Sequence, residues 1–225
     1  MVLVGTSARA DAISLRFVSW QGELTGLLMA GDEGSVVSVP VSEFSLGRPV
    51  TLQRKPKVLR LFREEIVPDG GSVRVPMAEV TIPADADQVI VMLAKAPVGA
   101  TFPMVGRALD SSWAVHPPAM IRVMNLSTKA LALRIGGSML SLPAGGEELV
   151  AFPAENVRHV PMEVAAGMTD GWRMVSRSLR PTPAGARVLC LVRDGRASID
   201  DPAAPVDVCF LLDRTPPRAE AVVQR

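Results

Sequence analysis

Apolar residues recur along this chain in short runs at every second position, and glycine, proline, serine or aspartate closes each run. The stretch from Met120 to Phe152 shows the plan most plainly. Ile121 and Val123 alternate with Arg122 ahead of Asn125, and Leu131, Leu133 and Ile135 alternate with Ala132 and Arg134. A period of two places alternate side chains on opposite faces of a half-buried strand. Gly136-Gly137 and Pro143-Ala144-Gly145-Gly146 separate the runs, and glycine accepts the positive φ that tight turns require. A helix would need an apolar stripe at three-to-four spacing without glycine pairs. No segment of the chain sustains that period over ten or more residues.

The same reading predicts strands at Ile13–Trp20, Leu24–Ala30, Val36–Val41, Lys57–Arg63, Val73–Ile82 and Val89–Leu93, with Thr101–Ser112 closing the first half. Glu148–Phe152, His159–Val164, Trp172–Leu179, Val188–Val192 and Val206–Leu212 follow in the second half. The halves correspond. Leu15-Arg16-Phe17-Val18-Ser19 matches Ile121-Arg122-Val123-Met124-Asn125 at an offset of 106, and Val36–Pro40 matches Met139–Pro143 at 103. Ile82-Pro83-Ala84 falls against Thr182-Pro183-Ala184 at 100, and Val89–Leu93 against Val188–Val192 at 99. Each half ends in a Leu-Asp (Leu109-Asp110, Leu212-Asp213) and a Pro-Pro (Pro117-Pro118, Pro216-Pro217). Ordered matches with drifting offsets are what a duplicated domain with loop insertions leaves behind. The expected fold is therefore all-β, with two tandem immunoglobulin-like β-sandwich domains at 13–118 and 119–217 and a short charged tail at 218–225.

Composition narrows the function classes. The formal net charge is +1, with 24 basic and 23 acidic residues spread through the chain, so no basic stripe marks a nucleic-acid surface. Aromatic residues make up 4% and tyrosine is absent, which weakens a base-stacking platform or an aromatic sugar-binding floor. Charged residues interrupt every apolar run well before the roughly 20 residues a membrane span requires. Met1–Ala12 (MVLVGTSARADA) contains an A-x-A pattern. Two readings of it stand: the tail of a signal peptide whose start lies upstream, or a disordered N-terminus.

Candidate chemistry is sparse. Cys190 and Cys209, the only cysteines, lie on expected hairpin partners about a loop at Asp194–Pro205. If they face each other a disulfide is feasible; the other reading, which we prefer, is two buried thiols acting as small hydrophobes. The first half has no counterpart cysteines, so a bridge is not essential to the fold. His116, before Pro117-Pro118, is expected to be an exposed linker residue, and His159 a solvent-facing one. Neither belongs to a cluster with zinc-ligand spacing or follows a nucleophile elbow. Asp85/Asp87 and Asp200-Asp201 are turn aspartates that could in principle hold Ca²⁺. One or two of Trp20, Trp113 and Trp172 are expected as core anchors, and the 11 methionines as core filler. No catalytic, cofactor-binding or metal-binding residue is assigned.

In Ile121–Gly137, with Ser141-Leu142-Pro143-Ala144-Gly145 and Gly171-Trp172-Arg173, the chain resembles uncharacterised envelope-associated proteins of Gram-negative bacteria built from tandem β-sandwich modules. The first half departs from them, with Ser19-Trp20 where the second has Asn125-Leu126 and no Gly-Gly after its second strand. The resemblance implies an exported, non-enzymatic protein, periplasmic or otherwise envelope-bound. Its expected role is structural or protein-binding, with another envelope protein as partner, no nucleic acid, no membrane span and no cofactor. The alternative is a carbohydrate-binding sandwich; an enzyme ranks third.

Overall fold

The computed structural model describes residues 12–20, 22, 24–152, 159–181, 185–195 and 205–214. The chain is all-β. It divides into two compact units, Met1–Val115 and His116–Arg225. Among the described residues the only helical element is a 3-10 turn at Asp32–Gly34, and no helix is long and apolar enough to cross a membrane. Met1–Asp11, Thr182-Pro183-Ala184, Asp200-Asp201, Pro216-Pro217 and the tail at 218–225 lie outside the described residues.

In the first unit β1 (Ile13–Ser19), β4 (Val41–Glu43), β5 (Val50–Leu52), β8 (Gln88–Lys95) and β9 (Met104–Asp110) form one sheet in the order β4-β1-β8-β9, with β5 also beside β1. The second sheet runs β3-β2-β6-β7, from β2 (Leu28–Ala30), β3 (Val36–Ser38), β6 (Val58–Ile66) and β7 (Ser72–Thr81). In the second unit β10 (Met120–Asn125), β13 (Glu147–Ala151), β16 (Arg187–Asp194) and β17 (Val206–Asp213) form a sheet ordered β13-β10-β16-β17. Its other sheet is β12-β11-β14-β15, from β11 (Leu131–Ile135), β12 (Ser138–Leu142), β14 (His159–Met168) and β15 (Gly171–Pro181).

One sheet of each unit is mixed and the other is antiparallel, whereas an immunoglobulin-like sandwich is antiparallel throughout. In each unit the first strand runs parallel to the penultimate one, β1 to β8 and β10 to β16. Alternation reports which face a residue takes but carries no sign of strand direction. The parallel partners do differ from the other strands in one respect: Val89–Leu93 and Val188–Val192 are unbroken apolar runs. Every residue in both is at most 5% exposed, so both faces of these strands are covered, as parallel strands require.

Each unit has its own core cluster, with side chains from both of its sheets. Leu15, Phe17 and Val91 meet Met29, Leu59 and Leu61 in the first. Ile121, Val123 and Cys190 meet Leu131, Leu133 and Val164 in the second. Each such side chain, fully withdrawn from water, contributes about 1.5–3 kcal/mol.

Candidate functional site

The sequence candidates are placed individually, and the structure does not gather them. Cys190 and Cys209 are free and buried. The β16–β17 register pairs Cys190 with Phe210 and Leu191 with Cys209, one residue away from the alignment a bridge would need. A one-residue offset turns the two side chains to opposite faces of the sheet. Cys190 accordingly belongs to the core cluster while Cys209 does not. Burial raises the thiol pKa of Cys190, and pushes that of Cys209 up to about 11, so neither is a ready nucleophile.

His116 is not an exposed linker residue. It is 1% exposed, its Nε2 donates to the Met120 carbonyl at 3.3 Å, and its own carbonyl accepts from Arg187 Nη1 at 3.2 Å. Burial is the main reason its pKa falls to about 4, which keeps the ring neutral. Arg187 Nη2 is paired with Asp213 Oδ2 in a setting where both residues are almost fully enclosed. These three residues hold the start of the second unit to its β16–β17 hairpin. His159 is exposed. Asp85 is exposed and Asp87 half-buried, and no group of three or more metal-ligating side chains forms among the described residues.

Asn125 carries the turn-forming motif. Fully buried, it donates from Nδ2 to the carbonyls of Lys129 (2.7 Å) and Pro143 (2.9 Å), while Oδ1 accepts from the Ser127 amide and hydroxyl. Backbone bonds from Asn125 to Gly146 and from Gly145 to Asn125 complete the clamp, with Gly145 at φ +75°. The glycines and prolines of this segment shape backbone.

What does stand out as a surface is the outer face of the β12-β11-β14-β15 sheet. Leu131, Leu133 and Ile135 point into the core, so Ala132 and Arg134 face out. Register carries that face across the sheet. Arg134 lies between Met139 and Glu163, and Glu163 beside Arg177; Ala132 lies between Ser141 and Ala165, and Ala165 beside Met174. Glu163 Oε1 accepts from Arg134 Nη2 at 2.7 Å and from Arg177 Nε at 2.9 Å. The Arg134 hydrogen bond is the leading reason its carboxyl sits below the usual carboxylate range. A shallow depression of about 300 Å³ opens over Ala132 and Ala165, walled by Met139, Met174 and the Arg134–Glu163 pair.

Trp172 extends the face, its ring beside Gly167, where an added Cβ would lie 3.6 Å from ring carbon Cζ3. Met139 is 69% exposed, Leu179 68%, Trp172 58% and Met174 49%. The expectation of methionine as core filler fails for Met139 and Met174. Of the candidate tryptophan anchors Trp20 is buried, edge-on to Phe44, whereas Trp172 is a surface residue. The signal lay in β15, whose apolar Trp172, Met174 and Leu179 are set against Arg173, Ser176, Ser178 and Arg180. An edge strand with no buried residue has turned its apolar stripe outward.

No protein-family model matches the chain, and no curated protein matches it significantly.

Proposed function

We propose that this chain is a non-catalytic, protein-binding module of the bacterial envelope, made of two duplicated immunoglobulin-like sandwiches, and that it recognises its partner through the outer face of the β12-β11-β14-β15 sheet. The observation that carries the binding reading is the concentration there of exposed Trp172, Met139, Met174 and Leu179 around the Arg134–Glu163–Arg177 ladder. Tryptophan, methionine and arginine are the residues enriched where proteins bind one another. Exposed apolar side chains gathered on one sheet face support an interaction site. Trp172 is the single aromatic side chain of this face among the described residues, so a partner of side chains and backbone fits it better than a stack of sugar rings.

Register supports the duplication. Leu15 pairs with Val89, and Ile121 with Val188, so the sequence offsets of 106 and 99 carry one pair onto the other. Val37 pairs with Met29, and Leu140 with Leu133, in keeping with the offset of 103. The β6–β7 and β14–β15 hairpins both break register after the residue facing that position, at Leu61/Phe62 and Val164/Ala165. One sequence match is a residue out. Val89 faces Asp110 and Val188 faces Leu212, so Asp110 corresponds to Leu212 and not to Asp213. The sandwiches are immunoglobulin-like in layering and depart from that strand order in their parallel pairs.

The test is capture from an envelope extract with the immobilised chain. Binding of a discrete protein that is lost in Met139→Glu and Trp172→Ala, with circular dichroism unchanged, is the expected result. Capture indifferent to both substitutions would place recognition elsewhere. Fractionation of the native host tests location, with the chain expected in the periplasmic or envelope fraction.

A further inference from the structure

The first unit carries a feature its counterpart lacks. In the second unit β11 and β12 close through two residues, Gly136-Gly137, between the paired Ile135 and Ser138. In the first unit the equivalent hairpin closes through five residues, Gly31–Ser35, between the paired Ala30 and Val36. The longer turn reaches outward. Asp32 accepts the backbone amides of Gln53 at 2.8 Å and Arg54 at 3.2 Å, one on each carboxylate oxygen, and so pins the loop before β6. Between turn and loop lies a cleft of about 550 Å³ lined by Asp32, Glu33, Gln53, Arg54, Lys55 and Arg60. That volume falls within the range of about 300–1,000 Å³ typical of small-molecule sites.

The polar groups of this cleft are unequally engaged. Both oxygens of Asp32 are occupied by backbone amides. Arg60 uses Nε on Glu79 at 2.9 Å, leaving the rest of its fork. Lys55 Nζ gives one bond to the Ala84 carbonyl at 2.7 Å and has further donors. Arg54 has no side-chain partner among the described residues. Glu33 is held in the left-handed region at φ 55°, ψ 27°, a conformation a non-glycine residue adopts at some energetic cost. The cleft thus offers guanidinium and ammonium donors for an oxyanion. Beside them Glu33 and Gln53 can exchange hydrogen bonds with hydroxyl groups.

We propose that this cleft binds a small acidic sugar, its carboxylate against Arg54 and Lys55 and its hydroxyls against Glu33 and Gln53. A bare inorganic anion would use the cations and be opposed by Glu33; a neutral sugar would forgo the charge-assisted hydrogen bonds that exposed Arg54 and half-buried Lys55 offer. The site is separate from the protein-binding face and does not depend on it.

The experiment is a titration of the ¹⁵N-labelled full chain with trigalacturonate, followed by amide shifts. Saturable shifts at Glu33, Gln53 and Arg54 are expected, weakened about tenfold or more in Arg54→Gln by loss of a charge-assisted hydrogen bond and unchanged in Trp172→Ala. Neutral galactotriose should give no shifts there. The assignment is overturned if no shifts arise at millimolar ligand, if galactotriose acts equally, or if Arg54→Gln is silent. Equal affinity for inorganic phosphate would reduce the cleft to an oxyanion pocket and overturn it too, as would loss of binding in Trp172→Ala.

Discussion

Replacing Asp213 with alanine should be among the most damaging single changes in the second unit. Arg187 is 1% exposed and Asp213 2%, so each has given up nearly all its water for the other. Guanidinium cannot escape by losing its proton. With Asp213 gone, the Nη1 bond to the His116 carbonyl remains, but the paired carboxylate does not. Breaking a buried pair from one side costs about 3–5 kcal/mol, against a typical domain stability of about 5–15 kcal/mol. The cysteines supply a selective assay: both lie in the second unit and are buried, so pulsed thiol labelling along a urea series reports that unit while the first stays silent. Asp213→Ala should move the labelling midpoint down by the equivalent of about 4 kcal/mol. Removing both charges together, in Arg187→Met with Asp213→Leu, should restore much of the loss. A shift under about 1 kcal/mol, the range of an exposed pair, would refute the claim that this pair is enclosed and mutually dependent.

Three further outcomes follow from the same geometry. His116 binds its proton with a pKa of about 4 when folded and about 6.5 when unfolded, so between those values the unfolded chain holds the extra proton. Stability should be flat above pH 7 and fall by about 3 kcal/mol as pH drops towards 4, and His116→Asn should flatten that limb of a pH–stability curve. Asn125→Ala removes a fully buried side chain that donates to the Lys129 and Pro143 carbonyls and accepts from Ser127, and should cost about 2–4 kcal/mol by denaturant titration. Denatured, non-reduced protein should show two reactive thiols per chain, and in the folded state Cys209, 8% exposed, should label faster than the fully buried Cys190.

How much of this was legible can be judged residue by residue. The alternation at Leu131, Leu133 and Ile135 reported both strand and face, because a period of two is a property of the pleat itself. The offsets of 106 and 99 aligned strands that do lie in matching register. Strand direction was not legible, since parallel and antiparallel strands share that period. The cysteine geometry failed by one residue because a hairpin loop need not be centred on its apparent turn residues, and one residue exchanges the faces. The burial of His116 and Arg187 had no local signature; it depends on Asp213 and on main-chain carbonyls distant in sequence. The unit-one cleft was hidden for the same reason, Asp32 finding its partners at Gln53 and Arg54. On β15 composition misleads, because tryptophan and methionine, ordinarily interior residues, stand there on an edge strand whose apolar side faces water.

The proposed duplication rests above all on a pairing that both units share, a first strand parallel to the penultimate one. Nuclear Overhauser contacts between backbone protons across β1/β8 and β10/β16 test that most directly. The predicted result is a parallel pattern in both pairs, with Leu15 opposite Val89 and Ile121 opposite Val188. An antiparallel pattern in either, or a parallel pair in one unit only, would contradict it.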